Sequence, residues 1–99
     1  MKKNDYFKMY GSIAGLKELA TSEKMLLSLI IELDENKEGC IGTNKFFAES
    51  LCVTKDRIAH IIMNLVKLGY IERTFIADEQ LVTSRKLIPS QKTLDLITE

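Results

Sequence analysis

The chain has little that suits acid–base or metal chemistry. Its 99 residues hold one histidine, His60, and two cysteines, Cys40 and Cys52. The cysteines lie too far apart to form a CxxC ligand pair, and no ligand cluster surrounds the histidine, so neither a metal nor a cofactor is expected. No Ser/His/Asp or Cys/His arrangement has supporting sequence, and a glycine-rich phosphate loop is missing; no catalytic residue is expected. Net charge is also absent, because fourteen Lys and Arg offset fourteen Asp and Glu. The overall basicity that advertises nucleic-acid binding is therefore lacking. Long apolar runs are missing too: the longest, Met25 to Ile31, is broken by Ser28 and ends at Glu32, which is too short to span a membrane. Lys2 and Lys3 are not followed by an apolar segment resembling a secretory signal. The expectation is a cytoplasmic protein without membrane contact, in which a disulfide is disfavoured and each cysteine is a small buried hydrophobe.

What is present is enough apolar side chain, 45% of the chain, for a single small core in one domain. Charge is unevenly spread. Between Glu18 and Glu38 six acids face two lysines, a net of −4, whereas between Thr54 and Lys86 six bases face four acids, a net of +2.

The organising stretch runs from Thr43 to Ile71. Phe46, Phe47 and Leu51 give one apolar face behind Thr43 or Asn44 as N-cap, and Leu51-Cys52-Val53 reads as a turn. Thr54 then caps a second helix, on which Ile58, Ile61, Ile62, Leu65 and Leu68 follow the spacing of an amphipathic helix on a core. Gly69 supplies the left-handed residue that stops it. Lys55, Asp56, Arg57, Ala59, His60, Asn64 and Lys67 remain outside. A solvated face serving only solubility is the plain alternative for such a helix. The order of short helix, three-residue turn, longer helix and strand favours a helix-turn-helix.

Around it, residues 1–10 form an N-terminal arm, 11–89 the main domain and 90–99 a tail or short helix. Ser12 to Ala20 forms a short turn or helix with Ile13, Leu16 and Leu19 on one face. Ser22 caps the first long helix, whose apolar face is Met25, Leu26, Leu29, Ile30 and Leu33 and which ends near Asp34. Asp34 to Gly39 is a solvated loop without the ligand spacing of a calcium loop. Tyr70 to Phe75 alternates as a half-buried strand, Ile76 to Gln80 is the tip, and Leu81 to Ile88 returns as the second strand, ended by Pro89. Ser90 caps a last segment with Leu94, Leu96 and Ile97 as a stripe, which either lies on the core or serves a homodimer.

VTKDRIAHIIMNLVKLGYI, preceded by TNKFFAESL and followed by the strand with Arg85-Lys86, resembles the winged-helix domains of bacterial plasmid and phage replication initiators and replisome organisers. The resemblance covers about Tyr6 to Pro89. It rests on Asn44, Ala48, Glu49, Leu51, Val53, Thr54, Lys55, Ile58, Ile62, Leu65, Gly69, Tyr70 and Ile71; Cys52 departs from a pattern otherwise free of cysteine. It implies a mainly α domain with a small β-sheet (α+β), a winged helix-turn-helix of three core helices plus a two- to three-stranded antiparallel wing. Cys40-Ile41-Gly42 would be the short strand that pairs with the wing. It also implies a non-catalytic role in replication initiation, with duplex DNA as partner. Related transcriptional regulators share the pattern, and initiators usually carry a further domain that is not expected within these residues, so a small regulator or a DNA-binding fragment is the alternative.

In that reading the recognition helix is about 54–68. Thr54 and the first-turn amides meet a phosphate, Lys55 and Arg57 meet phosphate or guanine, and Asp56 orients Arg57 or accepts from cytosine. His60 reaches phosphate or guanine and Asn64 suits adenine, each good base contact being worth ~1 to 3 kcal/mol of discrimination. Asn44 and Lys45 contact phosphate at the preceding helix, and Arg73, Arg85 and Lys86 lie along the backbone or minor groove. The alternative for those three is cross-strand pairing with Glu72 or Asp78. A protein-interaction module, favoured by the neutral charge and Asp78-Glu79, is the competing class.

Overall fold

The helix that starts at Thr21 is buried around most of its circumference. A computed structural model describes residues 10–34, 42–77 and 83–97. In it Leu26, Leu27, Ser28, Leu29, Ile30 and Ile31 are all buried on α2 (Thr21–Leu33), as expected of a helix surrounded by other elements rather than laid on a core. The expected stripe is thus too narrow, since Leu27, Ser28 and Ile31 belong inside. It is also misplaced at its end, where Leu33 is exposed. Ser22 is not the cap: the helix begins two residues earlier, behind Ala20, whose N–H donates to Glu23 Oε1 at 2.8 Å. The glutamate thereby satisfies one amide before the helix and places its charge at the positive end.

Three helices, α1 (Gly11–Ala14), α3 (Asn44–Leu51) and α4 (Lys55–Lys67), pack around α2 together with the strand β2 (Thr83–Pro89), which pairs with β1 (Ile71–Ala77); α5 (Gln91–Ile97) lies against α1 and β2. Among the described residues the fold is mainly helical with one small two-stranded antiparallel sheet. Ile13, Phe47, Ile58, Ile62, Leu65, Tyr70 and Leu87 join the buried face of α2 in one cluster. Each such side chain contributes roughly 1.5–3 kcal/mol over its exposed state.

The junction of α3 and α4 follows from local chemistry. Thr43 Oγ1 accepts from Phe46 N–H at 3.1 Å and Thr54 Oγ1 from Arg57 N–H at 3.1 Å, each satisfying an amide that the helix itself cannot. Between them Cys52 adopts a left-handed conformation (φ 59°), and Val53 N–H reaches Ala48 O at 3.0 Å. The cysteine is exposed there, contrary to the expected buried hydrophobe; the reversal needs a positive φ and turns this side chain away from the core. Phe46 is likewise 39% exposed while Phe47 and Ala48 are buried, so the apolar face of α3 is Phe47, Ala48 and Leu51. Ahead of it, Gly42 allows the aromatic ring in, for a Cβ there would stand 2.8 Å from Phe47 Cζ.

Helix α4 buries Ile58, Ile61, Ile62 and Leu65. At its end Gly69 (φ 87°) lets its own N–H reach Val66 O at 3.0 Å and that of Tyr70 reach Leu65 O at 2.9 Å, the paired bonds of a Schellman stop. The sheet places Ile71 opposite Pro89, Arg73 opposite Leu87, Thr74 opposite Lys86 and Phe75 opposite Arg85. Ile76 and Ala77 belong to β1 rather than to a tip, because both still have partners across the sheet. The expected alternation also fails: beyond Ile71, residues 72–75 are exposed, Phe75 by 64%, since the strand runs out past the core.

Ser90 begins α5, as expected: its Oγ accepts from Thr93 N–H at 3.3 Å and donates to Gly69 O at 2.6 Å, while Thr93 Oγ1 donates to Tyr70 O at 2.6 Å. Leu96 and Ile97 pack against the core. The last segment is thereby tied to the α4–β1 junction. Gly42 is not in a strand, and the remaining expectations for 1–9, 35–41, 78–82 and 98–99 lie outside the described residues. None of the described helices is long and apolar enough to cross a membrane.

Candidate nucleic-acid interface

The outward face of α4 is set by its buried one. With four aliphatic side chains turned inward, Lys55, Asp56, Arg57, His60, Met63 and Lys67 are exposed and Ala59 and Asn64 half-buried. Arg57, His60, Met63, Asn64 and Lys67 line a groove of about 440 Å³ floored by Ile61 and walled by Glu23 from α2. Lys55 and Asp56 stand outside that lining, at the start of the helix.

The expected donors do not all point away from the protein. Arg57 Nη2 donates to Ser22 Oγ at 3.1 Å, and Asn64 Nδ2 donates to Glu23 Oε2 at 2.7 Å. Glu23 therefore holds the amide before α2 with one oxygen and the Asn64 side chain with the other. This fixes which way the Asn64 amide points and keeps its oxygen as the atom left for a partner, while a carboxylate enters the same groove as three basic side chains. His60 Nδ1 lies 2.9 Å from Asp56 O. A carbonyl only accepts, so Nδ1 carries the proton and Nε2 is left for a partner outside the helix.

Elsewhere the expected residues separate. Lys45 is exposed on the first turn of α3, whereas Asn44 is half-buried and its Oδ1 is enclosed without a hydrogen-bond partner. On the sheet, Arg85 Nη2 donates to Gly42 O at 3.1 Å, stapling β2 to the segment that enters α3. The register places Leu87, not an acid, opposite Arg73, and the Arg73 guanidinium carbon lies 6.0 Å from the centre of the exposed Phe75 ring. Lys86 is half-buried on β2. The eleven residues thus divide between the α4 face, the entrance of α3 and the sheet.

Two features escape sequence reasoning. Ser22 and Glu23 reach the groove from 35 and 41 residues away, and no local signal carries such a contact. Met63 is 58% exposed, although hydropathy alone would bury it. A second cluster lies at the far end of α4. The buried Tyr70 donates its hydroxyl proton to Glu18, the Lys92 ammonium sits 4.2 Å above the Tyr70 ring, and Lys92 Nζ donates to Leu68 O at 3.0 Å. Burial, then the hydrogen bond to Glu18 and its negative charge, push the Tyr70 hydroxyl up to about 12. Among the described residues no group of three His, Cys, Asp or Glu is placed to hold a metal ion.

A family model described as a helix-turn-helix domain matches residues 17–71, the span from the approach to α2 through α3, α4 and the first residue of β1. No curated protein and no solved structure matches the chain.

Proposed function

The chain belongs to the helix-turn-helix domain family, and from that premise we propose that it binds duplex DNA without catalysing a reaction. Helix α4 enters the major groove, and the β1–β2 sheet lies along the neighbouring backbone as a wing. The observation that carries this reading is the α4 face itself, with Lys55, Arg57, His60 and Lys67 all exposed on one Thr54-capped helix whose opposite side is fully buried. Lys55 and Lys45 meet phosphate, Arg57 and His60 reach phosphate or base edges, and the Asn64 oxygen accepts from an exocyclic amine. Arg73 and Lys86 serve the wing; Arg85 positions it through Gly42. Such a role places the protein in the cytoplasm.

Within DNA binding we favour initiation of plasmid or phage replication, supported by the resemblance over Thr43 to Ile71. A small transcriptional regulator shares these residues and is the second reading. Selection from a random duplex library separates them. Tandem copies of one element support an origin and a replication role, and a palindrome supports a dimeric regulator. Failure to retain any duplex at low salt overturns DNA binding and promotes a protein-binding module, which the Glu23 carboxylate in the groove and the exposed Phe75 would suit.

A further inference from the structure

On the reading that α4 lies in the major groove, we infer that Met63 determines specificity by packing on the 5-methyl group of a thymine. The side chain is 58% exposed and joins the polar groups that line the α4 groove, one turn after His60 and one before Lys67. Ala59, one turn earlier on the same stripe, is too small to hold the helix away from the bases. The flanking polar groups are engaged within the protein: Arg57 on Ser22, Asn64 on Glu23, and His60 Nδ1 on Asp56 O. Beside the free His60 Nε2 and the Asn64 oxygen, the apolar group that projects from this face is therefore a thioether, which neither donates strongly nor carries charge.

In the major groove the thymine methyl is the apolar group that distinguishes one base edge from the others. An unbranched, polarizable side chain with three rotatable bonds can follow it closely. The contact gives the groove a means of reading A·T pairs that does not draw on the donors already tied to α2. Removing one methyl group from such a contact is expected to weaken binding about fourfold, from the transfer free energy of a single carbon.

The test uses the full chain and its selected duplex, with each thymine of the site replaced singly by deoxyuridine, a change that removes the methyl group alone. Wild-type protein should bind about fourfold more weakly at one or two of these positions and unchanged at the rest. Met63→Ala and Met63→Gln should abolish that preference, Met63→Leu should retain it, and Lys67→Ala should weaken the thymine and deoxyuridine duplexes alike. Because the side chain is exposed, all three Met63 variants should melt with the wild type, and Met63→Leu and Met63→Gln keep the comparison open should the alanine variant not fold. Specific binding that is indifferent to every deoxyuridine, or a preference that survives in Met63→Gln, overturns the inference while leaving DNA binding intact. Absence of any bound duplex overturns both.

Discussion

The α4 face and the β1–β2 sheet both present cations, but they are held in place by different means. Beneath α4, the buried Ile58, Ile61, Ile62 and Leu65 set the helix against α2, so its position does not depend on the charges above. On the sheet, among the side chains described, apolar burial anchors the base, at Ile71 and Leu87. Farther out the Arg85 guanidinium joins β2 to Gly42. A cation on α4 is therefore available for recognition at little cost to the fold, whereas one on the sheet helps to hold the sheet in place. This is the expected division between a helix that reads bases and a strand pair that tracks a backbone.

The contrast breaks most completely where α4 loses its footing. Ile62→Ala removes a side chain only 1% exposed and should lower the unfolding free energy by about 2–5 kcal/mol in urea titration, with duplex binding lost as the helix detaches. The next largest effect lies at Tyr70, which joins α4 to the sheet. Its hydroxyl ordinarily ionises near 10 and is held to about 12 here. Both folded and unfolded chains keep the proton below pH 10, so this contribution is fully present there. It is lost as pH rises from 10 to 12, because the unfolded chain ionises first, and levels off above. Tyr70→Phe should flatten this loss, on the order of 2 kcal/mol, in urea titrations taken across that range. Smaller still is the direct comparison of the two cationic surfaces. Lys55→Ala should reduce the slope of log affinity against log salt by about one with stability unchanged. Arg85→Ala should leave the slope as it is and cost about 1 kcal/mol of stability. Equal slopes for the two variants would erase the distinction between the surfaces.

The α3–α4 unit is legible in the sequence because its determinants are local. Thr43, Thr54, Gly69 and the isoleucine spacing each act within a few residues, and all are found in the expected roles. The same holds for Ser90, which acts three residues on. The site is less legible, because its walls come from elsewhere. Nothing near Arg57 or Asn64 announces that Ser22 and Glu23 will meet them, and nothing near Arg85 announces Gly42. Hydropathy also misleads on small elements. Phe46 and Phe75 are apolar but stand where α3 is too short and β1 too far out to cover them, and Met63 lies on the outward side of a helix whose inward side is already filled. Helix α2 errs in the other direction, since one sequence stripe cannot show that a helix is enclosed from several sides.

The smallest expected effect tests the turn that sets α3 against α4. Cys52 holds φ at 59°, a conformation that costs a residue with a Cβ roughly 1–2 kcal/mol. Glycine removes that cost but loses roughly 0.5–1 kcal/mol through the greater freedom of its unfolded chain. The side chain is exposed, so little burial is forfeited. Cys52→Gly should therefore raise stability by about 0.5–1 kcal/mol in urea titration under reducing conditions, with duplex affinity unchanged because α4 keeps its cap and its buried face. A loss of stability would mean that the thiol packs on the turn strongly enough to outweigh the backbone term. The relative placement of the two helices would then rest on that side chain rather than on the core beneath α4.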